Sequence, residues 1–455
     1  METNGTCNSM IGKAPVAQVS YGSLFRFYIP LAIQAFSQSF TYPLVASIAS
    51  HGAGGPLNLA GMDQAMIMMS MLGMLGAGLV TTGMVHGATK SGYARFQQVN
   101  WIFAGIVLAL MAVLSIPPVA HLWLGHVLGL PASIERPSYQ AFVVSLVLQL
   151  LFFLRNPYQV CLYIYGATTL ASIATISRIV GTLLLVPVFI HVGLVGPSWA
   201  VVAQAVAVSF EAVLSWYFAQ PYLRKLPHDA RVSATPKEMI VFTLPLSAGA
   251  FIMNVAGVMI SWGIVRTPHP EQMLVAYYLA AGLAGPAAFA ASRVQPVMLT
   301  MLPRMTSEGR LKVFALLVGV FMGGMPLLFL LPGIAGVYYE AVQRCPPELM
   351  PLVRVSAIGL LFHPLTMAGR GYLEGKAAYL KQPVYIFSGQ AAYFVVLVCA
   401  TLVCLRHGIP GNLLPGLSFF AANLAAIFTM QFLITRGERS QHEPILLEAV
   451  ERKAV

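Results

Sequence analysis

The chain has 455 residues, of which 58% are hydrophobic and 9% charged, with a mean hydropathy of +0.76. Soluble domains carry about a quarter charged residues, so this composition excludes an ordinary soluble protein and describes one dissolved in a bilayer. The formal charge of +11 does not indicate nucleic-acid binding, because the placement of lysine and arginine along the chain is explained by membrane topology.

The N-terminal stretch "METNGTCNSMIGKAPVAQVSYGS" is polar and does not read as a cleavable signal peptide. Twelve apolar segments follow, near 24–48, 60–86, 98–123, 138–166, 170–192, 197–220, 238–263, 272–302, 312–337, 349–374, 382–405 and 412–435. Each exceeds the roughly 20 residues needed to span hydrocarbon. The longest polar break, 220–239, carries Arg224, Lys225, Arg231 and Lys237 and separates six spans from six. The expected organisation is an N-terminal six-helix lobe over 1–220, a cytoplasmic linker over 221–237, a C-terminal lobe over 238–435 and a cytoplasmic tail over 436–455.

The two halves resemble each other. Pro30 in the first span aligns with Pro245 in the seventh, Gly92 with Gly309, Pro157 with Pro364 and Gly166 with Gly375. A duplication of this kind, with both halves starting on the same side, implies bundles related by an axis along the membrane normal. The expected fold is therefore all-α and polytopic, with about twelve transmembrane helices in two pseudo-symmetric bundles around a V-shaped central cavity.

Most basic residues fall on one set of alternating loops, and only Arg136, Arg266, Arg344, Arg354 and Arg406 on the other. By the positive-inside rule both termini are cytoplasmic. In this count Arg370, Lys376 and Lys381 belong to the cytoplasmic side. Low lysine, eight against eighteen arginines, points to a bacterial inner (plasma) membrane. Three arginines remain within the spans. At 1.5 Å per residue, Arg155 lies about 16 Å, Arg178 about 12 Å and Arg293 about 15 Å from the nearest cytoplasmic helix end. A charge in hydrocarbon costs several kcal/mol, so such residues are functional candidates by default. They form an expected belt around a cytoplasm-facing cavity, binding an anion through bidentate contacts.

Glu211, in the sixth span at about 13 Å depth, is either the structural partner of Arg178 or a proton-coupling group. Neither Arg155 nor Arg293 has an evident acidic partner at matching depth. Gln34, Ser37, Gln38 and Thr41 share one face of the first span. Ser247 and Asn254 in the seventh and Gln295 in the eighth add polar groups that either line a cavity or bond between helices. The other acids lie near span ends, Asp63 at the outer end of the second and Glu374 at the inner end of the tenth. The scattered histidines and the five cysteines show no metal or disulfide spacing. Neither a metal, a cofactor nor an enzymatic site is expected. The expected partners are the lipid bilayer and a small anionic substrate, with no nucleic acid, and the chain is expected to act as a monomer.

The turns "GATKSGYAR" and "LPRMTSEGR", and "YIYGATTLASIATISRIVG" between the fourth and fifth spans, resemble those of the MATE and polysaccharide-flippase (MOP) superfamily. Within it, "LPLSAGAFIMNVAGVMISWGIVRT" and the "YIYG" segment are most similar to the progressive-ankylosis branch. The superfamily resemblance implies two bundles rocking around a central cavity, and the branch resemblance implies export of small polyanions. The first span lacks the carboxylate of cation-exporting MATE proteins, which favours an anion. A lipid-linked diphosphate flippase and a multidrug or cation antiporter remain the alternatives. The major-facilitator loop pattern is absent from "HGATKSGYARF".

Overall fold

The computed structural model describes residues 20–165, 167–228, 234–302, 308–380 and 382–451. Every regular element among them is helical. The first half contains α1 (Tyr21–Ser50), α2 (Pro56–Gly73), α3 (Leu79–His86), α4 (Lys90–Leu114), α5 (Pro117–His121), α6 (Ala132–Ile164), α7 (Thr168–Val192) and α8 (Pro197–Arg224). The second contains α9 (Pro236–Val265), α10 (Pro270–Ala291), α11 (Val294–Met301), α12 (Gly309–Leu328), α13 (Pro332–Ala335), α14 (Met350–Gly359), α15 (Phe362–Tyr379), α16 (Pro383–Arg406) and α17 (Leu414–Glu451).

Local sequence explains where the helices begin and end. Thr89 accepts the Gly92 amide to start α4. Thr235 and Glu238 form a reciprocal capping box at α9, with Pro236 in the first turn. Gly193, at φ 79°, closes α7 in the left-handed region that favours glycine.

Eleven segments among the described residues are long and apolar enough to cross a membrane. α1 is also 30 residues long, but its polar run through Gln34, Ser37, Gln38, Ser39 and Thr41 dilutes its hydropathy. Large apolar residues are exposed along outer helix faces, such as Trp101, Ile106 and Leu110 on α4 and Leu316, Val320 and Phe321 on α12. In water such stripes would drive association. In a bilayer they are the lipid-facing surface of a multi-pass protein.

The internal repeat is visible in the irregular parts as well. In each half the third span gives way to a short proline-led helix and then a π-helical turn, Pro117–His121 with Leu122–Val127 and Pro332–Ala335 with Gly336–Val342. These sites also correct the expected spans 98–123 and 312–337, because α4 stops at Leu114 and α12 at Leu328. Ile116 and Leu331, each preceding a proline, adopt extended backbone that ends the run. The eighth span is broken at Ser292–Arg293 between α10 and α11. At the C-terminus α17 runs on past 435 to Glu451, while the side chains beyond 437 lie outside the described residues, as do Gly166 and most of the "LPRMTSEGR" turn.

Hydrogen bonds cross between the halves at two levels. Near the turn between α1 and α2, Tyr278 Oη donates to Gln64 Oε1 at 2.7 Å and Gln343 Nε2 to the Pro43 carbonyl at 2.9 Å. At the opposite ends of these helices, Thr82 and Thr243 hydroxyls meet at 2.7 Å, and Tyr28 Oη donates to the Ala290 carbonyl at 3.0 Å. The central cavity lies between these two sets of bonds.

Candidate substrate cavity

Two cavities adjoin each other, of which the larger lies between the halves. The larger, about 530 Å³, is walled by α1 and α2 on one side and by α9, α10, α15, α16 and α17 on the other. The smaller, about 300 Å³, extends along α2, α3 and α6 within the first half. Tyr42 and Ser70 line both. Each volume falls in the range of small-molecule sites.

The smaller cavity is lined by Arg155, which belongs to a buried network. Glu211 on α8 is fully buried. Its Oε2 accepts from Arg155 Nη1 at 2.8 Å and Arg178 Nη1 at 3.1 Å. Its Oε1 accepts from Thr175 Oγ1 at 2.9 Å and Gln159 Nε2 at 3.1 Å. Three helices, α6, α7 and α8, thus meet on one carboxylate. Charge-assisted bonds of this kind are roughly twice as strong as neutral ones, and they offset the desolvation cost that makes a lone buried carboxylate unaffordable.

The cluster carries two guanidiniums against one carboxylate, so it retains one positive charge. Arg178 is 8% exposed and committed to Glu211. The Arg155 side chain is 17% exposed, and its guanidinium also lies 5.1 Å from the Phe152 ring. The residual charge therefore faces the cavity through Arg155. The Nε atoms of both arginines are buried without a hydrogen-bond partner among the described residues.

The Arg178–Glu211 pair expected from adjacent spans is present. The expectation that Arg155 lacks an acidic partner is corrected, because α6 packs on α8 and brings Arg155 to the same carboxylate. Arg293 does not join the other two arginines. It caps α11 on the opposite half, with its guanidinium 4.4 Å from the Phe289 ring, and lines neither cavity, although Phe289 lines the larger one. Arg293 sits in the break between α10 and α11, outside the regular helix that a continuous span would have given it.

Asn254 lines the larger cavity and accepts from Ser70 Oγ at 3.1 Å across the two halves. Ser247 accepts from the Gly78 amide at 3.1 Å, so it serves the seam between halves. Gln295 follows the break in the eighth span and packs where α11 meets Gly375 of α15. The side chains of Gln34 and Gln38 lie outside the described residues.

Two charged residues assigned to span ends prove central. Arg370 is 6% exposed and lines the larger cavity, because α15 continues to Tyr379 instead of ending near 374. Its Nε bonds Glu374 Oε1 at 2.7 Å, one turn on, and its guanidinium lies 5.3 Å from the Tyr393 ring. The extension is possible because the charges along it are matched: Lys376 bonds Glu308 at 3.0 Å. His363, seven residues before Arg370 and on the same helix face, lines the cavity too, stacked on Phe419 at 4.9 Å. Asp63 also lines the larger cavity, about 10 Å along α2 from Pro56. The signal that could have found these residues was the i,i+4 pair Arg370–Glu374 inside an apolar run.

With this geometry established, comparison with solved structures gives the fold its relatives. The chain is similar to a Vibrio cholerae MATE transporter at 18% identity, covering 91% of this chain and 97% of that one, with a TM-score of 0.62. It is similar to a MOP superfamily transporter from Pyrococcus furiosus at 16% identity, covering 92% and 97%, with a TM-score of 0.58. It is also similar to the lipid II flippase MurJ at 13% identity, covering 90% and 87%, with a TM-score of 0.56. No family profile and no curated protein sequence matches the chain. The fold is that of MATE transporters, two bundles of membrane helices, and these similarities extend over nearly the whole chain.

Proposed function

We infer that the protein is an alternating-access membrane transporter that carries a small organic or phosphate-bearing anion through the cavity between its halves, in the direction of export. The observation that carries this reading is the Arg155–Arg178–Glu211 cluster, whose net positive charge faces the smaller cavity through Arg155. A guanidinium there offers free donors to carboxylate or phosphate oxygens where low dielectric strengthens attraction. Binding of an anion neutralises a charge that the bilayer interior otherwise penalises. The progressive-ankylosis resemblance in sequence is consistent with such a substrate.

The fold by itself does not set the charge of what is carried. The Pyrococcus furiosus relative is described as having a binding pocket of reverse polarity and a different function, and MurJ acts on a lipid. A flippase of lipid-linked diphosphates is the second reading, favoured by the same arginine cluster. A thermal-shift screen of the purified protein separates these. Citrate and inorganic pyrophosphate are expected to stabilise the parent protein and to lose that effect in Arg155→Gln, while organic cations give no Arg155-dependent shift. Stabilisation confined to lipid diphosphates would favour the flippase. Stabilisation by organic cations alone would overturn the anion reading.

A further inference from the structure

The cavity is polarised along its length, and the second charge lies on the opposite sign from Arg155. Asp63 lines the larger cavity and a small outer pocket of about 40 Å³ that continues it. It has no ion-pair or hydrogen-bond partner among the described residues. Tyr42 and Tyr278 line both of these spaces beside it, with Tyr277 in the larger and Tyr338 in the smaller. Arg370, in the wall of the same cavity, is paired with Glu374. A carboxylate within a span that lacks a counter-charge is expensive, and aromatic faces around it attract a cation. At the other end stands the net positive cluster exposed through Arg155. Ser70, where the two cavities meet, lies seven residues from Asp63 on α2, or about 10 Å.

We propose that the substrate is an elongated zwitterion, its cationic end held by Asp63 within the tyrosine-lined outer part of the cavity and its anionic carboxylate or phosphate end held by Arg155. The proposal rests on the anion reading given above and adds the second end. A molecule with adjacent charges, such as a free α-amino acid, cannot reach both groups at once. A molecule with charges at opposite ends of a chain neutralises Asp63 and the residual charge of the Arg155 cluster together. It also bridges wall residues of the larger cavity, which is shared by the two halves, and the cavity lined by Arg155. Both charges are then compensated inside the membrane during the passage.

The test uses the purified full-length chain and three probes of similar length: ω-aminooctanoate, octanoate and octylammonium. Affinities are measured by isothermal titration for the parent, Asp63→Asn and Arg155→Gln, with thermal unfolding confirming that each variant is folded. The parent is expected to bind ω-aminooctanoate at least tenfold more tightly than either monofunctional probe. Asp63→Asn is expected to erase the advantage over octanoate while leaving octanoate itself unchanged. Arg155→Gln is expected to erase the advantage over octylammonium. If octanoate binding depends on Arg155 but the terminal amine adds nothing and Asp63→Asn has no effect, the zwitterion proposal fails and the anion reading stands. If octylammonium binding depends on Asp63 while Arg155→Gln changes nothing, both fail. Equal or absent binding of all three probes to the parent also overturns the proposal. Should Asp63→Asn fold poorly, Asp63→Glu replaces it, and a change in preferred chain length towards the shorter ω-aminohexanoate is expected.

Discussion

Glu211 accepts four side-chain hydrogen bonds from two neighbouring helices, α6 and α7, whereas each of its two arginines gives up only part of its donor set to it. Loss of the carboxylate leaves two guanidiniums facing each other in a buried space. Glu211→Gln is therefore expected to destabilise the protein by about 3–5 kcal/mol, the cost of breaking a buried pair by removing one partner, seen as a lower melting temperature in detergent. Arg155→Gln leaves Glu211 with Arg178 and an overall neutral pair, and is expected to stay folded. If both variants melt alike, the cluster is not organised around the carboxylate. Outside the spans, Glu308 accepts from Tyr372 Oη and Lys376 Nζ, both at 3.0 Å. Burial pushes its carboxyl up, but the hydrogen bond and charge of Lys376 outweigh this and hold it below the ordinary range. A depressed carboxyl contributes stability that is present above its unfolded value, about 4.3, and lost as pH falls through the folded value. Glu308→Gln is expected to lower the melting temperature near neutrality, with the difference from the parent shrinking as pH drops below about 4. A difference independent of pH would remove the ion pair from the explanation. The depth of the deep arginines was legible from helix rise alone. The pairing of Arg155 was not, because it depends on α6 packing against α8, two spans further along the chain.

Helix elements were legible where the composition is plainly apolar and less so where it is interrupted. The prolines at 117, 118 and 332 lie within hydrophobic runs, so hydropathy carried the third span of each half too far while backbone sterics ended it. The reverse happened in α15, where Arg370, Glu374 and Lys376 read as a polar end but are paired in place and extend the helix. Close packing shows in glycines at helix crossings. A Cβ on Gly61 of α2 would lie 2.5 Å from Pro137 Cβ of α6, and one on Gly319 of α12 would lie 2.7 Å from Leu365 Cδ1 of α15. Gly105 on α4 has nothing within 4 Å. Gly61→Leu and Gly319→Leu are expected to cost at least about 1–3 kcal/mol through overpacking, and Gly105→Leu to be close to neutral, as read by thermal unfolding. Equal effects at the three sites would mean that the crossings are looser than described.

For the whole molecule, the bonds that cross between halves form two seams, one on each side of the larger cavity. Alternating access requires one seam to part while the other stays closed. Thr82 and Thr243, whose hydroxyls are 2.7 Å apart, mark the seam at the α3 end. A Thr82→Cys/Thr243→Cys pair is expected to form a disulfide under oxidation and to stop transport reversibly in proteoliposomes, with reductant restoring it. Unimpeded transport by the cross-linked protein would show that this seam does not open. The two-bundle architecture was readable from the internal repeat and loop charge, since duplication and topology leave marks throughout the chain. The charge pattern of the cavity was only partly readable, because which helix face lines it is decided by how the halves meet.

The central claim is that the buried cluster of Arg155, Arg178 and Glu211 presents a positive charge to a transported anion. Isothermal titration of the purified parent, Arg155→Gln and Arg155→Lys with inorganic pyrophosphate tests it most directly. The glutamine variant is predicted to bind about ten- to a hundredfold more weakly, the loss of one charged hydrogen bond of about 1.5–3 kcal/mol, and the lysine variant to fall between it and the parent because the charge remains without the planar fork. Equal affinity of all three proteins for pyrophosphate would contradict it.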